Sequence, residues 1–147
     1  MNIQEQINTF ITSLPEPKQS DILGIQQIIF TILPDARIWF DAGKDAENKV
    51  VSNPTIGYGS FIIRYANGTS REFFQIGISP NASGISVYLL GLNDKEYLAR
   101  TFGGRIGKAS VSKYCIKFKS LSGINTDILE EAIRYGISAS ALAPENP

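Results

Sequence analysis

Ile56-Gly57-Tyr58-Gly59-Ser60-Phe61-Ile62-Ile63-Arg64-Tyr65, followed by Ala66-Asn67-Gly68-Thr69 and the run 72–79, is the stretch that decides the fold. The first run alternates and is rich in Ile, Tyr and Phe, which is the two-residue period of a half-buried strand. Asn67-Gly68 is the residue pair that a tight hairpin turn demands, because both positions tolerate positive φ. A second turn, Pro80-Asn81-Ala82-Ser83-Gly84, leads into a third strand over 85–90. Three consecutive strands with short connections predict an antiparallel meander.

On the N-terminal side the period changes. Ile3, Ile7, Phe10, Ile11 and Leu14 fall on one face of a helix over 2–13. Pro15 and Pro17 break it, and a second helix carries Ile22, Ile25, Ile29, Ile32 and Leu33 up to Pro34. The two form a helical hairpin. Residues 37–40 read as a short strand, and 41–54 as a long polar loop.

On the C-terminal side, Asn93 and Glu96 predict the capped start of a short helix that Gly103-Gly104 ends. Residues 111–119 read as one strand, with Tyr114, Ile116 and Phe118 on one face and Lys113, Cys115, Lys117 and Lys119 on the other. A final helix, capped by Asn125 or Thr126, carries Leu129, Ala132, Ile133 and Ile137. The expected fold class is α+β: a mainly antiparallel sheet of about five strands, with an N-terminal helical hairpin and a C-terminal helix packed on it. One domain is expected over 1–137, and the small, polar, proline-bearing tail 138–147 is expected to fray.

Composition narrows the chemistry. The 147 residues carry no histidine, which removes the usual general base and the usual zinc ligand. One cysteine, Cys115, excludes an internal disulfide. No segment approaches the ~20 apolar residues of a spanning helix, and Met1-Asn2-Ile3-Gln4-Glu5-Gln6 does not read as an export signal. A cytoplasmic location and no membrane partner are therefore expected. Net charge is zero, so no global field holds the chain on nucleic acid.

Several stretches carry a family likeness. They are Phe10-Ile11-Thr12-Ser13-Leu14-Pro15-Glu16-Pro17, Ile32-Leu33-Pro34-Asp35-Ala36, Ile56-Gly57-Tyr58-Gly59-Ser60, Gly77-Ile78-Ser79-Pro80, Ser86-Val87-Tyr88, Gly107-Lys108-Ala109-Ser110 and Tyr114-Cys115-Ile116-Lys117-Phe118-Lys119. In their order and spacing the chain resembles the domain-of-unknown-function 1801 family of small bacterial proteins, also called YdhG-like. The resemblance covers roughly 7–137. It implies a cytosolic α+β domain with an antiparallel sheet and no settled activity; one branch of the family is described as a frataxin-like iron chaperone. Two departures stand out. Asn81-Ala82 occupy a place where many relatives carry Arg-Lys, and the loop 41–53 is longer than usual.

The candidate residues fall into three groups. Asp41, Asp45 and Glu47, with Asp35 nearby, are the carboxylates a hard cation such as iron would use, although their spacing fits no calcium loop and the first helix offers only Glu5. Trp39 and Tyr58 flank the long loop; with Asn53 and Arg64 they would wall a small-molecule pocket. Between Tyr97 and Thr126 stand Arg100, Arg105, Lys108, Lys113, Lys117 and Lys119 with no acidic residue among them. Arg105 and Lys108, beside Gly103-Gly104 and Gly107, would suit an anion. That stretch is not a nucleotide-hydrolysing phosphate loop, since Phe102 stands at the first glycine position and Ala109 follows the lysine. Cys115 reads as a small strand hydrophobe whose lysine neighbours would favour its thiolate.

The expected function is a non-enzymatic binding or accessory protein, with no cofactor, acting on a protein partner or a small anionic ligand as monomer or homodimer. Iron delivery and anion binding through 100–119 are the alternatives.

Overall fold

The alternation between Ile56 and Ser79 folds into four strands rather than two. The computed structural model describes residues 1–141. Helix α1 (Ile3–Thr12) is followed by α2 (Lys18–Ile32), then by strands β1 (Ile38–Asp41), β2 (Thr55–Tyr58), β3 (Phe61–Arg64), β4 (Ser70–Phe73), β5 (Ile76–Asn81) and β6 (Gly84–Leu89). Helix α3 (Tyr97–Phe102), strands β7 (Ala109–Ser112) and β8 (Cys115–Phe118), a short 3-10 turn (Leu121–Gly123) and α4 (Thr126–Ala141) complete it.

The α+β class stands as expected, with more strands. Six form one antiparallel sheet in the order β1-β2-β5-β6-β8-β7, and β3-β4 form a separate two-stranded ribbon. Sheet and ribbon are one hairpin bent in the middle. The ladder breaks at Gly59-Ser60 on one arm and at Phe74-Gln75 on the other. Gly59 takes φ +78° at that bend, a value that a residue with a Cβ adopts only at a cost. Its amide bonds the Arg37 carbonyl at 2.8 Å, while the Gln75 amide bonds that of Tyr58 at 3.1 Å.

Three other expectations are corrected. The strand placed over 111–119 is a hairpin, turned at Lys113 (φ +45°) so that β7 lies outside β8. The α3 entry is organised by Asp94 rather than Asn93, since Asp94 Oδ1 accepts from the Glu96 amide at 2.9 Å. Residues 138–141 belong to α4, because Ser140 is buried against the sheet; the rest of the tail expected to fray, 142–147, lies outside the described residues. Asn125 caps α4, with its Oδ1 accepting from the amides of Asp127 (3.0 Å) and Ile128 (3.4 Å).

The core lies between the helices and one face of the sheet. Ile7 and Ile11 of α1, Ile22, Ile25 and Ile29 of α2, and Leu129, Ala132 and Ile133 of α4 pack on Ile56, Ile76, Ile78, Ile85, Val87, Leu89, Ile116 and Phe118. Each fully buried aliphatic side chain contributes roughly 1.5–3 kcal/mol. All four helices of the described residues join this one core, so among the described residues the other face of the sheet carries no helix.

Candidate functional site

The strand registers put one continuous row of residues across the helix-free face: Trp39, Gly57, Gly77, Tyr88, Cys115 and Ser112. Two glycines side by side leave a trough between Trp39 and Tyr88. The ring of Phe74 lies in that trough. A Cβ on Gly57 would meet it at 2.5 Å, and one on Gly77 at 2.8 Å. Phe74 comes from the bend in the hairpin, so the hairpin folds one of its own side chains back over its own strands. Phe73 stacks on Phe74 at 4.2 Å, and Trp39 meets both edge-on at 6.2 and 6.3 Å. Trp39 Nε1 donates to the Gly59 carbonyl at 2.8 Å, and the Arg37 guanidinium lies 4.0 Å over its ring while pairing with Glu72.

Two clefts open beside this aromatic cluster and share Leu90 as a wall. The first, about 310 Å³, lies between the ribbon and the residues after β6; Phe61, Ile63, Phe73, Leu92 and Tyr114 are its apolar walls, with Arg64 and Asn93 among its polar groups. The second, about 370 Å³, is lined by Ser52, Asn53, Thr55, Phe74, Ser79 and Tyr88. Ser79 Oγ donates to the Pro54 carbonyl at 2.8 Å and so pins the end of the long loop to the sheet.

Of the four residues expected to wall one pocket, Arg64 lines the first cleft and Asn53 the second. Trp39 abuts the aromatic cluster from the neighbouring strand. Tyr58 is on the opposite face. Register places it with Ile38 and Ile76, and it is fully buried, edge-on to Phe30 at 5.5 Å. Its hydroxyl has no hydrogen-bond partner, and burial pushes its pKa well above the usual tyrosine value. Alternation is the reason: Gly57 faces the cleft side, so its neighbour Tyr58 must face the core.

The carboxylates of the loop do not gather. Asp41 Oδ1 accepts from the Gly43 amide at 2.8 Å, and Asp45 Oδ1 from the amides of Glu47 (3.0 Å) and Lys49 (2.9 Å). These are local turn bonds, which is what aspartate commonly supplies in loops. Among the described residues no group of three or more His, Cys, Asp or Glu side chains is placed to hold a metal ion, Asp41, Asp45 and Glu47 included.

The glycine-rich basic stretch is also locally committed. The amides of Gly103, Arg105, Ile106 and Lys108 donate to the carbonyls of Ala99, Phe102, Phe102 and Gly123, each at 3.0 Å. Arg105 pairs with Glu131 at 3.1 Å. The segment closes α3 and crosses to β7, and it leaves none of these amides for an anion. Cys115 is half-buried on the helix-free face. Burial raises its pKa, more than the Ser86 hydrogen bond and the nearby Lys117 lower it. The lysine effect expected from sequence is present through Lys117 and is outweighed.

Phe73, Phe74 and Tyr88 read from sequence as strand aromatics, core by default, and neither they nor Leu90 and Tyr114 are among the site residues expected from sequence. One signal was there: Gly57 and Gly77 inside strand patterns mark places where another group approaches closely. No helix among the described residues is long and apolar enough to cross a membrane. No family model, no curated protein and no solved structure matches the chain.

Proposed function

We propose that this protein is a small cytoplasmic binding protein, not an enzyme, that holds a ligand in the cleft between the bent ribbon and the sheet. The ligand has an apolar, ring-sized body and an anionic or acceptor end. The observation that carries this reading is the cleft itself. Its volume of about 310 Å³ sits at the small end of the ~300–1,000 Å³ typical of ligand sites. Aromatic and aliphatic walls would cover the body, and Arg64 and Asn93 are polar side chains of the lining that would set orientation. The lining has no carboxylate, thiol or amine to move a proton or attack a substrate, which favours binding over catalysis. The resemblance to the domain-of-unknown-function 1801 family is in keeping with an accessory role. A lone thiol such as Cys115 fits a reducing compartment. Iron delivery and an anion site at Arg105 and Lys108 have no comparable geometry in their favour: Asp41 and Asp45 are used in local turn bonds, Arg105 pairs with Glu131, and the amides of Gly103, Arg105 and Lys108 bond local carbonyls.

Anilinonaphthalene sulfonate, an aromatic anion, tests the reading by fluorescence titration of the folded protein. Saturable one-to-one binding is expected. Ile62→Glu, at an exposed position of the lining, and Arg64→Gln are each expected to weaken it about tenfold, equivalent to ~1.4 kcal/mol. Equal binding by both variants, or no saturable binding, would refute it.

A further inference from the structure

A separate cavity lies where three segments distant in the chain meet. The start of α2 brings Lys18, the β5–β6 turn brings Ser83 and Gly84, and the end of β8 brings Lys119 and Ser120 around a cavity of about 390 Å³. Two lysines and two serines are among its lining residues, and no acidic residue is; the Ser83 hydroxyl donates to Asn81 Oδ1 at 2.9 Å. Lys18 is half-buried, and its Nζ donates to the Asn81 carbonyl at 2.5 Å, which holds the charge at the rim.

The nearest acids are committed elsewhere. Glu16 accepts from the amide (3.0 Å) and the hydroxyl (2.9 Å) of Ser20, and Asp21 accepts from the Leu121 amide at 3.0 Å. Neither Lys18 nor Lys119 forms an ion pair among the described residues. The amides of Gln19, Ser20 and Asp21 at the start of α2 are used by Pro15, Glu16 and Pro17, so the attraction comes chiefly from the lysines. Ser120 Oγ lies 3.2 Å from Ser122 Oγ; with Ser122 as donor, Ser120 keeps its own proton for a ligand.

Two like charges gathered on one cavity repel each other, and an anion between them turns that repulsion into attraction. Lysine acts on phosphate as a point charge, needing no fixed fork geometry. We propose that Lys18 and Lys119 form a binding site for the phosphate group of a small soluble molecule, with Ser120 as a hydrogen-bond donor. The site is independent of the cleft beside the ribbon.

Thermal melting of the full chain tests it, with inorganic pyrophosphate as probe and sodium chloride matched for ionic strength. For a Kd of about 1 mM, ~10 mM pyrophosphate is expected to raise Tm by about 4 °C over the salt control. The rise should vanish in K18Q/K119Q, shrink in K119Q alone, and persist in K95Q/K108Q, which removes the same charge elsewhere. Equal rises in both double variants, or none over salt in the parent, would overturn the proposal. So would lysine-dependent binding to phosphatidylglycerol vesicles without a pyrophosphate effect, since that would place the phosphate in a lipid headgroup.

Discussion

Gln75 Nε2 donates to Ser140 Oγ at 2.8 Å, joining the bend of the hairpin to the last turn of α4. The same nitrogen lies 3.2 Å from the Ile137 carbonyl, and both side chains are buried. A Cβ on Gly59 would collide with Gln75 Oε1. Bend, glycine and helix end are therefore one unit.

Gln75→Leu should destabilise the fold by about 1–3 kcal/mol, because it removes both buried hydrogen bonds of Gln75 Nε2 and leaves Ser140 only its own bond to the Ile137 carbonyl at 3.2 Å. Ser140→Ala removes a partner of similar size and should cost about 1 kcal/mol. Urea denaturation measures both. Equal stability of Gln75→Leu and the parent would show that the bend does not depend on α4.

Gly77→Ala should cost about 1–3 kcal/mol through overpacking, since the new methyl meets the Phe74 ring at 2.8 Å. The backbone there has no positive φ, so the cost comes from crowding, chiefly by the ring and in part by Thr55 Cγ2 at 3.2 Å. Pairing Gly77→Ala with Phe74→Leu should recover part of it, giving a non-additive double-mutant cycle. Simple additivity would show that Phe74 is not what occupies the trough.

Tyr58→Phe should leave stability unchanged or raise it by up to about 1 kcal/mol, because it removes a buried hydroxyl that has no partner. The pH dependence has a defined sign. A phenol whose pKa is higher folded than unfolded favours the folded state below the unfolded value of about 10, and that contribution falls as pH climbs above it. The parent should lose stability above about pH 10 more steeply than Tyr58→Phe. Parallel stability–pH curves for the two proteins would show that Tyr58 ionises as freely folded as unfolded.

Cys115 should react more slowly with iodoacetamide at neutral pH than a free thiol does, because only the thiolate is nucleophilic and burial disfavours it. The rate should climb as pH passes the ordinary thiol range. Lys117→Gln should slow it further, by removing the cation that favours the thiolate. Rapid labelling at neutral pH would contradict the burial of this row position.

Much of the fold is legible in local pattern. The apolar stripe of α2 appears directly as Ile22, Ile25 and Ile29, all fully buried, and the turns at Asn67-Gly68 and Asn81 to Gly84 fall where their residues place them. The bend was hidden, because Ile56 to Tyr65 keeps a strand-like composition through Gly59-Ser60. Nothing local tells a ladder that continues from one that breaks to meet Arg37 and α4. The hairpin at Lys113 was hidden for a related reason: the turn uses a lysine at positive φ, where a glycine would have announced it.

The sequence by itself determined the element types, the buried stripes and the excluded chemistries, because periodicity and composition act over a few residues. Tertiary structure alone decided that Phe74 fills the trough over Gly57 and Gly77, that Tyr58 turns into the core while Arg64 lines a cleft, and that Lys18 and Lys119 line one cavity. Those relationships join residues far apart in the chain, and they follow from strand register and packing of distant surfaces, which a short-range pattern does not encode.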